Sequence, residues 1–272
     1  MPNDVPPILT SPTLPPRLAL PHAPSMWLAI ALVALYLLLQ AVFAGVVLGA
    51  VALIQRVGHT AATAGGVAAS VLQQPGTVAA ATIAGVCCAA LVVVWLVYRQ
   101  WSQPWAYAAP PGFGVARPTH ARWLVVALLV GGLLPLLGSL LTQLLAHGHD
   151  IPQDIEQLTR SAPLAWRIVL AATAISLGPL VEELLFRGVL LSALIPRCGI
   201  PLAALLSAAG FAAIHLPGLQ WQWYAVPQLI LLGLALVWLR LRYQSLWPAV
   251  VAHGTHNALA LTAWFFAFAQ PG

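Results

Sequence analysis

Charge is what this chain lacks. Lysine is absent, acidic residues number six, and charged residues make up only 6% of the 272 positions. Hydrophobic residues make up 61%, and the mean hydropathy is +0.90. A water-soluble domain needs a charged surface, so this poverty excludes one and points to a polytopic membrane protein. The net charge of +5 rests entirely on arginine. These arginines are scattered between apolar runs, which suits orientation in a bilayer and argues against a nucleic-acid surface. Cysteine is scarce too. Cys87 and Cys88 are neighbours in an apolar run and Cys198 stands alone, so no disulfide framework exists and all three read as small packing residues. A lysine-free chain rich in alanine, arginine and tryptophan suits a GC-rich bacterial genome, so the bacterial inner membrane is the expected location.

What is present is long apolar runs. The first 25 residues hold eight prolines and read as a disordered or extended tail. The run Met26 to Ile54 is too long for a cleaved signal peptide and reads as a retained first span. Six further spans follow, near Val78–Tyr98, Trp123–Leu145, Leu164–Ile195, Pro201–Leu216, Tyr224–Leu241 and Leu246–Phe268. The fourth is over-long for one crossing and the fifth is short. Gly178-Pro179 predicts a kink in the fourth, because proline lacks the backbone donor and crowds the preceding turn. The expected fold is an all-α transmembrane bundle of about seven spans. Residues 1–25 form the tail, 26–145 the first three spans, and 164–268 a four-helix core. No internal repeat supports a duplicated transporter architecture. An inside N-terminus puts Arg17, Arg99, Arg117, Arg122, Arg197, Arg240 and Arg242 in the cytoplasm, against Arg56, Arg160 and Arg167 outside. That bias favours N-in and C-out.

Four of the six acids (Asp4, Asp150, Asp154 and Glu156) lie in polar segments. The other two, Glu182 and Glu183, sit side by side in the apolar run Gly178-Pro179-Leu180-Val181-Glu182-Glu183-Leu184-Leu185-Phe186-Arg187-Gly188. Ionisable groups in such a place are costly and mark function. Glu183 and Arg187 are i and i+4 on a helix, so they share a face and can form a structural ion pair. Glu182 is turned about 100° away and is free to face a cavity as a general base or acid. The competing reading is an ion pair plus a second glutamate that only packs.

Two more polar sites interrupt apolar runs. One is His215, in Phe211-Ala212-Ala213-Ile214-His215; the other is His253-Gly254-Thr255-His256-Asn257. His253 and Asn257 again share a face. Measured from the cytoplasmic helix ends, Glu182 lies roughly 20 Å deep, His215 roughly 21 Å, and His253 and Asn257 roughly 10 and 16 Å. These overlapping depths on separate spans support one shared, water-filled site. His256 reads as packing beside it, and His22, His59, His120, His147 and His149 as solvated. Trp221, Trp223 and Trp247 read as interface anchors.

The ordered set Glu182-Glu183-x-x-x-Arg187, Phe211-x-x-x-His215 and His253-x-x-x-Asn257 resembles the CPBP family of intramembrane proteases. That family includes the type 2 CAAX prenyl proteases and bacterial proteins linked to bacteriocin processing or immunity. The segment Ser245 to His253 is also similar to its bacterial members, and the resemblance covers roughly residues 164–268. It implies hydrolysis of a peptide bond in a membrane-associated protein or peptide. Glu182 and His215 would activate water, and His253 and Asn257 would stabilise the oxyanion, with Glu183 in the same catalytic set. Glu182, His215 and His253 could also hold zinc with an open position for water. The chain contains no His-Glu-x-x-His, and the glutamate chemistry needs no metal, so no cofactor is the favoured expectation. No aspartate lies in any predicted span, against an aspartyl dyad, and no Gly-x-Ser-Gly marks a serine nucleophile. Ser139, Ser176, Ser192 and Ser207 read as helix-contact residues. The alternatives are a proton-coupled transporter using the buried Glu and His groups, or a non-catalytic immunity or scaffold protein. Oligomeric state and substrate identity leave no mark in the sequence.

Overall fold

The computed structural model describes residues 22–57, 66, 70–71, 74–149 and 161–267, and every regular element among them is helical. The tail as far as residue 21, His59, the acidic loop 150–160 and Phe268 lie outside the described residues. The elements are α1 (Met26–Arg56), α2 (Pro75–Gln100), the short α3 (Ser102–Ala106), α4 (Arg122–Ala146), α5 (Leu164–Ile175), α6 (Leu177–Glu183), a π-helical stretch (Leu184–Leu190), α7 (Leu191–His215), α8 (Val226–Tyr243) and α9 (Trp247–Ala267).

Among the described residues, five helical stretches are long and apolar enough to cross a membrane: Met26–Arg56, Pro75–Gln100, Arg122–Ala146, Leu164–His215 and Trp223–Tyr243. The fourth holds 52 residues. Straight, it would extend about 78 Å, more than twice a hydrocarbon core of about 30 Å. It doubles back instead. Gly199 takes φ 73° and ψ 169°, a conformation a side chain would resist. Beyond it, Ser207 Oγ donates to the Phe186 carbonyl at 3.1 Å, and the Phe211 ring meets Phe186 edge-on at 5.6 Å. The turn at Gly199 therefore separates the stretches expected as spans four and five. α9, with 21 residues, covers about 31 Å.

Helices pair through small residues. α2 buries Ala79, Ala81, Gly85, Ala89 and Ala90 while Leu91 and Trp95 face outward. In a lipid solvent apolar burial gives no drive for association, so close backbone approach supplies it. α1 packs on α2, α4 on α9, and α7 on α8.

The ends of the bundle differ. At one end, Arg197 donates to the Pro24 and Ala193 carbonyls. The loop 107–117 lies across the same end as a strap. It is pinned by Arg240 Nη2 to the Gly112 carbonyl at 2.7 Å, Ser245 Oγ to Ala116 O at 2.7 Å and Trp247 Nε1 to Val115 O at 2.7 Å. Arg240, assigned to a cytoplasmic segment from its position in the sequence, is fully buried. The strap covers it, and its charge is directed at a backbone carbonyl instead of water. At the other end, Pro163 packs on Gly76 and Gln55 reaches Gln74.

Candidate active site

The site starts at the break between α5 and α6. Pro179 has no N–H to offer the Ile175 carbonyl, so the helix is interrupted there. The backbone is distorted at Ser176, with φ −117° and ψ −73°, three residues ahead of the proline. α6 then carries Val181 and Glu183 into the core and leaves Glu182 half-buried. The π-helical stretch that follows has a widened hydrogen-bond register of a kind concentrated at functional sites.

Glu183 is fully buried. Its Oε1 accepts from Arg187 Nη1 at 2.8 Å and lies 3.0 Å from His253 Nδ1. Arg187, also fully buried, donates through Nη2 to the Gly233 carbonyl of α8 at 3.2 Å. Its guanidinium carbon sits 4.5 Å from the Phe211 ring centroid, a cation–π contact. The Phe211 ring also touches His215 at 4.5 Å and His253 at 5.4 Å. One phenyl ring thus packs against the cation and both imidazoles. Phe211→Ala is expected to cost about 3–5 kcal/mol of stability, read as a lowered unfolding transition in micelles.

Hydrogen bonding fixes which histidine nitrogens face the open space. A carboxylate paired with arginine can only accept, so His253 Nδ1 carries the proton and donates to Glu183. His215 Nδ1 lies 2.7 Å from the Phe211 carbonyl and donates to it for the same reason. Both Nε2 atoms then face Glu182. Its Oε2 lies 3.8 Å from His215 Nε2 and 3.9 Å from His253 Nε2. These gaps are too long for direct hydrogen bonds and suit a bridging water. The His215 and Glu182 side chains retain 32% and 19% exposure against 3% for His253, so the site opens on the His215 side.

Glu182, Glu183, Arg187, His215 and His253 are therefore brought together. Asn257 is turned elsewhere: its Nδ2 donates to the Ala174 carbonyl of α5 at 2.8 Å.

Residues 164–259 match the family model for Type II CAAX prenyl endopeptidase Rce1-like proteins. This stretch is an Rce1-like domain. It begins at α5, ends within α9 and holds every residue of the cluster. No curated protein and no solved structure matches the chain. The family so matched is described as one of CAAX prenyl endopeptidases, and the chain is a multi-pass membrane protein.

One feature near the Rce1-like cluster escapes sequence reasoning. Tyr36, on α1 and outside the domain, is 2% exposed, and its hydroxyl is within electrostatic reach of the Glu182 carboxylate and the Cys87 thiol. Nothing in the run Leu32 to Leu39 distinguishes it from an ordinary span tyrosine. His256 is buried on α9, and its Nδ1 has no hydrogen-bond partner among the described residues.

Zinc can be tested against the spacing. Ligand atoms about 2.1 Å from a tetrahedral zinc stand about 3.4 Å from one another. The separations of 3.8 and 3.9 Å from Glu182 Oε2 are wider. Among the described residues no group of three or more His, Cys, Asp or Glu is placed to hold a metal ion. Glu182, His215 and His253 stand wider apart than ligands on one zinc would, and no step below runs through a metal.

Proposed function

We propose that this protein is an intramembrane endopeptidase of the CAAX type in which Glu182 activates the attacking water. The observation that carries this is the convergence of two imidazole Nε2 atoms on one glutamate oxygen, with each Nδ1 already engaged. A water between Glu182 Oε2 and His215 Nε2 donates a hydrogen to each, which aims an oxygen lone pair outward. As that oxygen attacks the substrate carbonyl carbon, Glu182 takes its proton. The carbonyl π pair moves to oxygen and becomes an oxyanion. His253 Nε2, when protonated, donates to that oxyanion. The C–N bond then breaks, and the proton held by Glu182 passes to the leaving nitrogen. Glu183, itself held by Arg187, accepts from His253 Nδ1 and keeps the ring oriented with Nε2 toward the oxyanion. The products are a new carboxyl terminus and a new amino terminus.

The substrate is a membrane-associated peptide or protein, since the site lies among lipid-facing helices. The seven-span, N-in arrangement is part of the proposal. Its support is the gathering of Arg117, Arg197 and Arg242 at the strap end of the bundle, the side an arginine bias makes cytoplasmic.

Purified protein incubated with a membrane-peptide library and read by mass spectrometry tests the reading. Cleavage products are expected from wild type and none from folded His215→Ala. Absence of products from folded wild type, together with solute-driven proton flux in liposomes, would replace peptidase with transporter. Chelator treatment is expected to leave cleavage unchanged. Stoichiometric zinc that leaves together with activity would overturn the metal-free chemistry.

A further inference from the structure

The chain has an interrupted helix whose freed carbonyls lie against another helix. In an unbroken helix the Ala174 and Ile175 carbonyls would accept from the N–H groups of residues 178 and 179. Residue 179 is proline and has none, and the backbone is already distorted at Ser176. Such carbonyls are expensive to leave unsatisfied among apolar side chains. Both are covered by α9. Asn257 Nδ2 donates to Ala174 O at 2.8 Å. Gly254 lies three residues earlier, on the same face, and a Cβ there would stand 2.5 Å from Ile175 O. Only a residue without a side chain admits that carbonyl. The residue beside it, His253, holds Glu183. α9 thus grips the broken helix on both sides of the segment 176–182.

We propose that Gly254 and Asn257 form a clamp on the α5–α6 break that sets the position of Glu182, which makes Asn257 a positioning residue through its bond to Ala174. The proposal rests on the reading of Glu182 as the base, but the clamp itself does not depend on catalysis. Gly254 has no group that could take part in chemistry. A clamp therefore requires Gly254→Ala to reproduce the effect of Asn257→Ala, whereas an oxyanion donor alone does not.

Hydrogen exchange of the full-length protein in micelles separates the two. In Asn257→Ala and in Gly254→Ala, amides of residues 177–183 are expected to exchange about three to ten times faster than in wild type. Amides of α2 in the same samples report whether the bundle has stayed folded. Asn257→Gln, which keeps an amide donor, is expected to restore part of the protection. Unchanged exchange over 177–183 in a folded Asn257→Ala would overturn the clamp, even if cleavage falls about 100-fold or more as loss of an oxyanion donor requires. Exchange needs no substrate. Faster exchange in variants of a protein that cleaves nothing would keep the clamp and remove the peptidase.

Discussion

Replacing Arg187 by methionine is expected to destabilise the protein by about 3–5 kcal/mol, the cost of stranding one member of a buried ion pair. The large figure follows from what the guanidinium holds. It neutralises the buried Glu183, satisfies the Gly233 carbonyl and stacks on Phe211. Arg187→Lys should recover only part of this, since an ammonium is a point charge that cannot stack flat and reach two acceptors in a fork. The double variant Arg187→Met with Glu183→Gln removes both charges and should be more stable than Arg187→Met alone. Unfolding midpoints in micelles check the series. A single variant as stable as wild type would show that Glu183 draws its compensation from elsewhere.

Replacing Glu182 by glutamine should lower the cleavage rate by about two to four orders of magnitude, the usual contribution of a general base. The amide keeps the shape of the carboxylate and cannot take a proton from water. Stability should hardly change, because Glu182 is half-buried and both of its imidazole neighbours stand beyond hydrogen-bond distance. Loss of activity without loss of fold separates Glu182 from Glu183, whose replacement disturbs Arg187 and His253 together. Turnover of one cleaved peptide, measured beside the unfolding midpoint, reads both effects.

The parts of this arrangement legible in sequence are those that depend on helical spacing alone. Glu183 and Arg187 are four apart, and depth along each span brings Glu182 and His215 to one level while leaving His253 about 10 Å shallower. The apolar runs likewise announce the helices, and Gly178-Pro179 the kink. Other features depend on what faces what. His253 and Asn257 share a helix face, yet their offset along the axis takes one to Glu183 and the other to the carbonyl at the break. Spacing within α9 cannot reveal that, because it contains no information about the register of α9 against α5. The π-helical stretch changes the register around Arg187 without any residue type that signals it. Arg240 stands at a helix end, where arginine usually reaches water, and only the fold of the strap around Gly112 explains its burial. Tyr36 belongs to a helix outside the matched domain and meets the site through the packing of α1.

The most direct test is cleavage of a membrane-peptide library in heavy-oxygen water by wild type and by Glu182→Gln, with both shown to be folded. If Glu182 activates water for peptide hydrolysis, wild type will give new carboxyl termini that each carry one heavy oxygen from solvent, and the variant will give essentially none. Labelled termini from the variant at the wild-type rate, or none from folded wild type, would contradict it.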